Sequence, residues 1–202
     1  MTLVEEILVK RLGRVDYLPA LEAMRVFTAR RNEATADEIW LLEHPPVYTL
    51  GQGAERPSVD NGIPLVQADR GGEITYHGPG QVILYALVDL ARRGIKVKQF
   101  VAMLESSVIG LLAGRGERKP GAPGVYVGGA KIAALGIRVS RGRAYHGLAL
   151  NVDMDLAPFR AIDPCGCPGL AVTQTRDLGI EKSTDEIGAE LAASLAGKLE
   201  HA

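Results

Sequence analysis

Short apolar runs in the first half of the chain predict β-strands separated by turns. The predicted strands cover 5–13, 38–44, 65–69 and 82–89. Residues 45–51 read as an extended continuation of the second strand, and turn-forming residues over 54–64 predict a loop. The first half therefore predicts β structure with one intervening helix.

Apolar residues spaced three and four apart predict the helices. Asp16 is placed to cap a helix over 17–31, and the clearest apolar stripe lies over 97–116. Near the end of the chain, Ser183 is followed three residues later by Glu186, the spacing of a capping box. A last helix is therefore predicted to begin at Ser183.

Residues 121–154 predict consecutive strands joined by tight turns. Gly128-Gly129 is a two-residue hairpin signal, and SRGR over 140–143 predicts a second turn. The βα alternation of a dinucleotide-binding fold is missing, so the order of elements predicts an α+β fold with a mixed or antiparallel sheet. With no repeat or linker in the sequence, we expect a single domain over 1–202.

The composition adds little to this picture except in one segment. The chain has 202 residues, 47% hydrophobic and 23% charged, and a formal net charge of −1, so its overall charge favours neither nucleic acid nor a membrane surface. The segment from Arg115 to Arg143, however, contains seven basic residues and one acidic residue, Glu117. This segment is either a solvated face or a surface for an acidic partner.

The two cysteines and the N-terminal sequence indicate the compartment. Cys165 and Cys167 form a C-x-C pair, which is neither a disulfide framework nor a zinc site. Acidic residues interrupt the first apolar run, unlike a signal peptide, and no apolar run reaches the length of a membrane span. We therefore expect a cytoplasmic protein.

Cys165 is the first candidate for chemistry. It lies in DPCGCPG, where two prolines and two glycines predict an irregular loop on which a thiol would be accessible. A free cysteine is also commonly a small buried hydrophobe, and composition does not choose between Cys165 and Cys167.

Lys131 is the second candidate. Strand alternation over 130–139 predicts that it shares a face with Ala133, Leu135, Ile137 and Val139. Packing of that face would desolvate the amine, favour its neutral form and make it a general base. The alternative is a lysine at a strand end whose amine reaches solvent.

Histidines and glycines supply the remaining candidates. His77 and His146 each precede a glycine and His44 ends a predicted strand, but no H-x-x-x-H or H-E-x-x-H spacing supports a metal site. The glycine-rich stretch RGGEITYHGPGQ, residues 70–81, matches neither phosphate-loop motif. Its backbone still permits the close approach of a ligand.

Taken together, four motifs resemble the octanoyltransferase family of lipoate biosynthesis. These are RGGEITYHGPGQ at 70–81, GGAKIAALGIRV at 128–139, YHGLALNV at 145–152 and PCG at 164–166. LLEHPPVYTLG at 41–51 is also similar to the family's N-terminal segment, so the resemblance covers about residues 40–175. Each motif alone is weak, and their order and spacing make the joint match specific.

The resemblance implies both a fold and a reaction. The fold is that of biotin and lipoate protein ligases, a mixed sheet flanked by helices with a smaller sheet beside it. The reaction moves octanoate from octanoyl-acyl carrier protein to one lysine of a lipoyl domain, in 2-oxoacid dehydrogenase E2 subunits or the glycine cleavage H protein. No cofactor or metal is implied, and we expect a monomer.

The resemblance also implies the site residues. A Cys/Lys dyad maps onto Cys165 and Lys131, while Cys167 is not part of the family pattern. The acyl pocket maps onto Arg70, Gly71, Gly72, Glu73, Ile74, Thr75, Tyr76, His77, Ala134, Leu135, Gly136, Gly147, Leu148 and Ala149. His44 and His146 lie in matching segments as supporting residues. A thiolate suits attack on a thioester because an acyl-enzyme splits the transfer into two accessible steps.

Three other functions compete with this interpretation. An ATP-dependent lipoate ligase on the same fold would form an adenylate and need Mg²⁺ but no nucleophilic cysteine. A noncatalytic module that binds acyl groups or carrier proteins would be indifferent to Cys165→Ser. A cysteine peptidase is the third alternative, but the sequence around Cys165 has no local signature of that class.

Overall fold

The computed structural model describes residues 7–57, 59–162 and 169–202. Within these residues, ten strands build two sheets: β1 (Leu8–Arg14), β2 (Glu38–Glu43), β3 (Val47–Leu50), β4 (Leu65–Gln67), β5 (Ile74–His77), β6 (Gln81–Asp89), β7 (Glu117–Lys119), β8 (Ala122–Val127), β9 (Ala130–Ser140) and β10 (Arg143–Asn151). Seven strands form the larger sheet in the order β1-β2-β6-β10-β9-β8-β7, and β4-β3-β5 form the smaller one. The larger sheet is parallel between β1 and β2 and antiparallel at its other pairs, so the predicted mixed sheet is confirmed.

The helices cover the two faces of the larger sheet. They are α1 (Tyr17–Arg30), α2 (Leu90–Arg93), α3 (Val97–Leu111) and α4 (Thr184–Glu200). Alternation in β6 divides the core: Leu84 and Ala86 pack with α3 and α4, whereas Ile83 and Tyr85 pack with α1. A third core lies between the smaller sheet and a 3₁₀ turn over Ala157–Ala161.

Most predicted elements are present with small shifts at their ends. Asp16 stands at the N-cap position of α1, although its side chain makes no capping hydrogen bond. The Ser183 capping box begins α4, and the pairs Gly128-Gly129 and Arg141-Gly142 link β8 to β9 and β9 to β10. The helix predicted over 97–116 ends earlier, at Leu111, because the chain turns into positive φ at Ala113 and Gly114.

The strands β5 and β7 and the short helix α2 were not predicted. Residues 45–51 were predicted to continue the second strand, but β3 belongs to the smaller sheet. Pro45 and Pro46 separate it from β2, because proline cannot donate a hydrogen bond to a neighbouring strand.

Candidate active site

A cavity of about 410 Å³ lies beside strands β5, β9 and β10. Every residue predicted to form the acyl pocket lines it except Tyr76, whose ring packs instead against Tyr48 and Phe159 in the core of the smaller sheet. Further lining residues escaped the sequence interpretation: Tyr17, Ile83, Tyr85, Val101, Gly121, Ala122, Pro123 and Ile137. Of these, Ile83 and Tyr85 could have been identified from the sequence, because alternation places them on one face of the strand predicted over 82–89.

The register between β9 and β10 gives the cavity its length. Ala134 is paired with Ala149, Gly136 with Gly147, and Ile137 with His146. At a strand rise of roughly 3.3 Å per residue, the step from Ala134 to Ile137 is about 10 Å, close to the length of an extended eight-carbon chain. The four residues of the first two pairs are alanines and glycines, and all of them line the cavity. We call the part of the cavity that runs along the three pairs the slot.

Gly136 is required where the glycine-rich stretch crosses the edge of β9. The amide of Gly71 donates to the carbonyl oxygen of Ile137 at 3.0 Å. A Cβ on Gly136 would stand 2.9 Å from the Gly71 oxygen and 3.0 Å from Cδ of Arg70. Any side chain at Gly136 would therefore push this wall of the cavity outward.

Arg70 is buried and holds the glycine-rich stretch against the smaller sheet. Its guanidinium donates at 2.8 Å to both the carbonyl and the Oγ1 oxygens of Thr49, and at 3.0 Å to the Glu73 carbonyl. These bonds join a loop to β3. They give Arg70 a structural task in the cavity wall.

Both ring nitrogens of His77 are bonded within the protein. Nδ1 donates to Oε1 of Gln81 at 2.8 Å, and Nε2 accepts from Oγ1 of Thr49 at 3.3 Å. Burial lowers the pKa of His77 well below its usual value. His77 is therefore a neutral, fixed wall residue.

His44 lies behind the cavity wall and orients a residue that lines it. Its Nδ1 donates to the carbonyl of Val15 at 2.6 Å, and its Nε2 accepts from the hydroxyl of Tyr85 at 2.7 Å. Burial lowers the pKa of His44 to about 4. The predicted supporting residue thus contacts the cavity through Tyr85.

His146 has an unusual backbone that turns its ring toward the cavity. Alternation would place it with Ala144 in the core beneath α3 and α4, but its φ is 62°. The ring instead stacks on Tyr145 at 5.0 Å and lies edge-on to Tyr85 at 5.8 Å. Left-handed backbone is uncommon outside glycine and tends to occur at functional sites.

Asp69 anchors His146 from outside the cavity. Its Oδ1 accepts from Nε2 of His146 at 2.8 Å, and its Oδ2 accepts from the Tyr145 hydroxyl at 2.8 Å and from Arg25 at 2.9 Å. Burial alone would raise the pKa of Asp69, but these three bonds lower it. Asp69 therefore remains a carboxylate.

Lys131 is 4% exposed, and its amine donates to the carbonyl oxygen of Pro123 at 3.1 Å. The predicted alternation is wrong here, because the register between β8 and β9 shifts between Val125 and Tyr126. Ile132 and Ala133 both enter the core beneath α3 and α4, so a β-bulge turns Lys131 away from the apolar face that it was predicted to head.

The bulge places Lys131 next to the slot. It lines a small cavity together with Thr75 and Ala134, both of which also line the large cavity. Phe159 and Val172 line the same small cavity. These two residues lie on either side of segment 163–168 in the chain, which contains Cys165 and Cys167 and lies outside the described residues.

Hydrogen bonds fix the chain that follows this segment. The amide of Lys131 donates to the Ala171 carbonyl at 2.8 Å, and the amide of Thr173 donates to the Lys131 carbonyl at 3.0 Å. Asn151 donates from Nδ2 to the Thr173 carbonyl at 2.9 Å and accepts from Gln81 at 2.9 Å. A buried amide network therefore connects the His77 wall to the strand of Lys131.

Neither a metal cluster nor a membrane helix is found in the part of the chain that the structure describes. No group of three or more His, Cys, Asp or Glu side chains is placed there to hold a metal ion. No described helix is long and apolar enough to cross a membrane.

Comparison with known proteins decides the family. The model of the lipoyl protein ligase A/B catalytic domain matches residues 16–196. The chain belongs to this family. It is 58% identical over 197 residues to an octanoyltransferase of Dechloromonas aromatica (strain RCB), covering 95% of this chain and 96% of the relative. It is 61% identical over 196 residues to an octanoyltransferase of Azoarcus sp. (strain BH72), covering 94% and 86%.

Solved structures of lipoyl protein ligase A/B proteins and their fold relatives agree on the architecture. Lipoate-protein ligase A bound with ATP superposes with a TM-score of 0.77 at 17% identity, over 96% of this chain and 85% of that one. Biotin protein ligase from Aquifex aeolicus in complex with biotin and ATP gives 0.58 at 10% identity, over 95% and 70%. These similarities confirm the predicted fold, a mixed sheet flanked by helices with a smaller sheet beside it.

Proposed function

We propose that the protein is an acyltransferase that moves an octanoyl group from octanoyl-acyl carrier protein to a lysine of a lipoyl domain. The acceptors would be the lipoyl domains of 2-oxoacid dehydrogenase E2 subunits and the glycine cleavage H protein. The octanoyltransferase relatives support the reaction class. Cys165 carries the acyl group as a thioester, with Lys131 as the base.

The position of Lys131 carries this proposal. A buried amine stands at one end of a slot that accommodates an extended medium-length acyl chain. Residues on both sides of the cysteine-containing segment, Phe159 and Val172, line the same small cavity as the amine. In the sequence, the Cys165 thiol lies between Phe159 and Val172.

In the first half-reaction, the amine of Lys131 acts as the general base and takes the proton of the Cys165 thiol. The thiolate attacks the thioester carbonyl, a new C–S bond forms at Cys165, and the bond to the carrier's thiol breaks. Lys131 then returns the proton to the departing thiolate. No oxidant, nucleotide or metal enters this balance.

In the second half-reaction, the acceptor lysine amine attacks the Cys165 thioester. An amide bond forms, the C–S bond breaks, and the proton lost by the amine passes to Lys131 and on to the Cys165 thiolate. The developing oxyanion in each step needs fixed donors. Backbone amides of the glycine-rich stretch suit that task because this stretch lies against the slot.

Intact mass spectrometry tests the acyl-enzyme directly. The protein is mixed with octanoyl-acyl carrier protein in the absence of ATP, and we expect an octanoyl adduct that maps to Cys165. Cys167→Ala is the matched control and should keep the adduct, whereas Cys165→Ala should lose it. Adding a lipoyl domain should then discharge the adduct onto its lysine.

The competing functions give different results in the same experiment. An ATP-dependent ligase would form no adduct and would load the lipoyl domain only with free acid, ATP and Mg²⁺. A binding module would retain octanoyl-acyl carrier protein without covalent change, equally in the Cys165→Ala variant. Either result would contradict the proposed mechanism.

A further inference from the structure

The end of the slot at His146 contains a buried nitrogen with no partner. Among the residues that the structure describes, Nδ1 of His146 makes no hydrogen bond, although the residue is only 1% exposed. Its other nitrogen is held by Asp69, a residue that does not line the cavity. His146 itself does line the cavity.

The bond to Asp69 sets the chemistry of that free nitrogen. Because the carboxylate can only accept, Nε2 of His146 carries the proton and Nδ1 of the neutral ring is an acceptor. Burial lowers the pKa of His146 despite the opposing effect of Asp69, so the ring is neutral near pH 7. A residue that lines the cavity therefore has a buried hydrogen-bond acceptor without a partner among the described residues.

The other described histidine that lines the cavity offers no such group. Both nitrogens of His77 are bonded to Gln81 and Thr49. An unmet buried acceptor is destabilising, and here the chain also holds His146 in left-handed backbone. Two unfavourable features on one cavity residue indicate that Nδ1 is kept for a ligand.

We propose that the end of the slot at His146 receives a hydrogen-bond donor carried at the far end of the acyl chain, so that acyl groups with a terminal hydroxyl are substrates. The proposal rests on the proposed function. Lys131 marks the reacting end, next to Ala134, and His146 lies three residue pairs further along β9 and β10. A chain that reacts beside Lys131 therefore extends its terminus toward His146.

The size of the cavity permits this additional group. A cavity of about 150 Å³ is enough to hold benzene, whereas this one has about 410 Å³. An octanoyl chain therefore leaves space in the cavity for one more heavy atom or a water molecule.

A matched pair of substrates tests the proposal on the wild-type protein. Nonanoyl and 8-hydroxyoctanoyl thioesters have the same number of heavy atoms and differ only in a terminal methyl or hydroxyl group. In a fully apolar slot the hydroxyl would reduce kcat/KM by roughly tenfold or more, because it loses its water partners. We expect the two values to lie within about threefold of each other because Nδ1 of His146 replaces the water.

Two variants assign the effect to His146. His146→Asn is chosen because asparagine tolerates left-handed backbone and its shorter side chain withdraws the acceptor. This variant should lower the ratio of kcat/KM for the 8-hydroxyoctanoyl thioester to kcat/KM for the nonanoyl thioester by roughly tenfold. His77→Asn makes the same change in the same cavity and should keep the wild-type ratio, whatever it does to the rate.

Calorimetric binding of the free acids separates this proposal from the transfer reaction. Wild-type protein should bind 8-hydroxyoctanoate and nonanoate with dissociation constants within about threefold of each other, whereas His146→Asn should bind nonanoate roughly tenfold more tightly. A roughly tenfold preference of the wild type for nonanoate, or a ratio that His146→Asn leaves unchanged, would overturn the proposal even if octanoyl transfer is observed. Absence of octanoyl transfer together with the expected dissociation constants would count against the proposed function alone.

Discussion

Cε of Lys131 lies directly against the backbone of Gly124, where an added Cβ would stand 2.5 Å from it. Gly124 also has a φ of 143°, and its Cβ would lie 2.7 Å from the carbonyl oxygen of Ala133. Gly124→Ala should therefore displace the Lys131 side chain from the carbonyl of Pro123. We expect a drop of roughly tenfold or more in the rate of Cys165 acylation, measured in single turnovers.

Gly128→Ala is the control for this change. Gly128 has a φ of 55° and nothing within 4 Å of an added Cβ, so alanine there strains the backbone without meeting Lys131. Both variants should melt at lower temperature than the wild type, but Gly128→Ala should keep the wild-type acylation rate. Equal acylation rates in the two variants would argue against a role for the Lys131 position.

Lys131→Ala should slow acylation by octanoyl-acyl carrier protein and discharge to the lipoyl domain alike. General-base catalysis contributes roughly 10²- to 10⁴-fold, so a loss within that range is expected in each half-reaction. Lys131→Arg introduces a guanidinium that stays protonated and cannot accept a proton, so it should be as slow as Lys131→Ala. The rates of both steps are measured by rapid quench. If those rates were unchanged and only KM rose, Lys131 would be a substrate-binding residue and not a base.

Asn151→Asp should slow acylation while the slot still binds acyl chains. The aspartate can still accept from Gln81, but it cannot donate to the carbonyl of Thr173, 2.9 Å away in the wild type. The chain over 171–173, which follows the Cys165 segment and is hydrogen-bonded to Lys131, would lose an anchor. We expect a roughly tenfold slower single-turnover acylation with little change in affinity for octanoate.

Hydrogen exchange shows whether Asn151 acts through residues 171–173. The amide of Thr173, which donates to the carbonyl of Lys131, should exchange faster in Asn151→Asp. Asn32→Asp, an exposed change whose oxygen already serves as an acceptor, is the matched control and should alter neither measurement. Slower acylation with an unchanged Thr173 amide would mean that Asn151 acts by another route.

The sequence predicted the fold and most of the cavity wall because these depend on regular patterns. Apolar alternation and turn residues placed the strands, and the hairpin at Gly128-Gly129 set β8 beside β9. The family motifs then identified the stretch Arg70–His77 as part of one wall, with Tyr76 as the exception. Tyr76 could not be separated from its neighbours because it packs in a core that forms only in three dimensions.

The polar geometry of the site depends on departures from those patterns. A bulge next to Ile132 turns Lys131 toward the slot, and a positive φ at His146 places its ring opposite to the expected face. Likewise, no sequence signal shows that His77 and His44 have both nitrogens bonded while His146 has one free. Each departure is set by tertiary contacts, so alternation alone predicts the wrong face.

Stability should depend on pH through the buried histidines, with His44 as the clearest case. An ordinary histidine has a pKa of 6.5. Burial disfavours the charged ring of His44 and lowers its pKa to about 4 in the folded protein. Between these two values the unfolded chain binds more protons than the folded one, so the free energy of unfolding falls as the pH falls. The contribution of His44 is fully present above pH 6.5 and lost as the pH drops toward 4.

His44→Gln should flatten this dependence. The wild type should lose roughly 3 kcal/mol more than the variant between pH 7 and pH 4, as measured by urea unfolding at a series of pH values. The variant should be less stable at pH 7, because the glutamine cannot meet both Val15 and Tyr85 with the geometry of the ring. His201→Gln, at the exposed C-terminal end, controls for the removal of an imidazole. If His44→Gln kept the wild-type slope, the acid sensitivity would have to come from His77 and His146, whose pKa values burial also lowers.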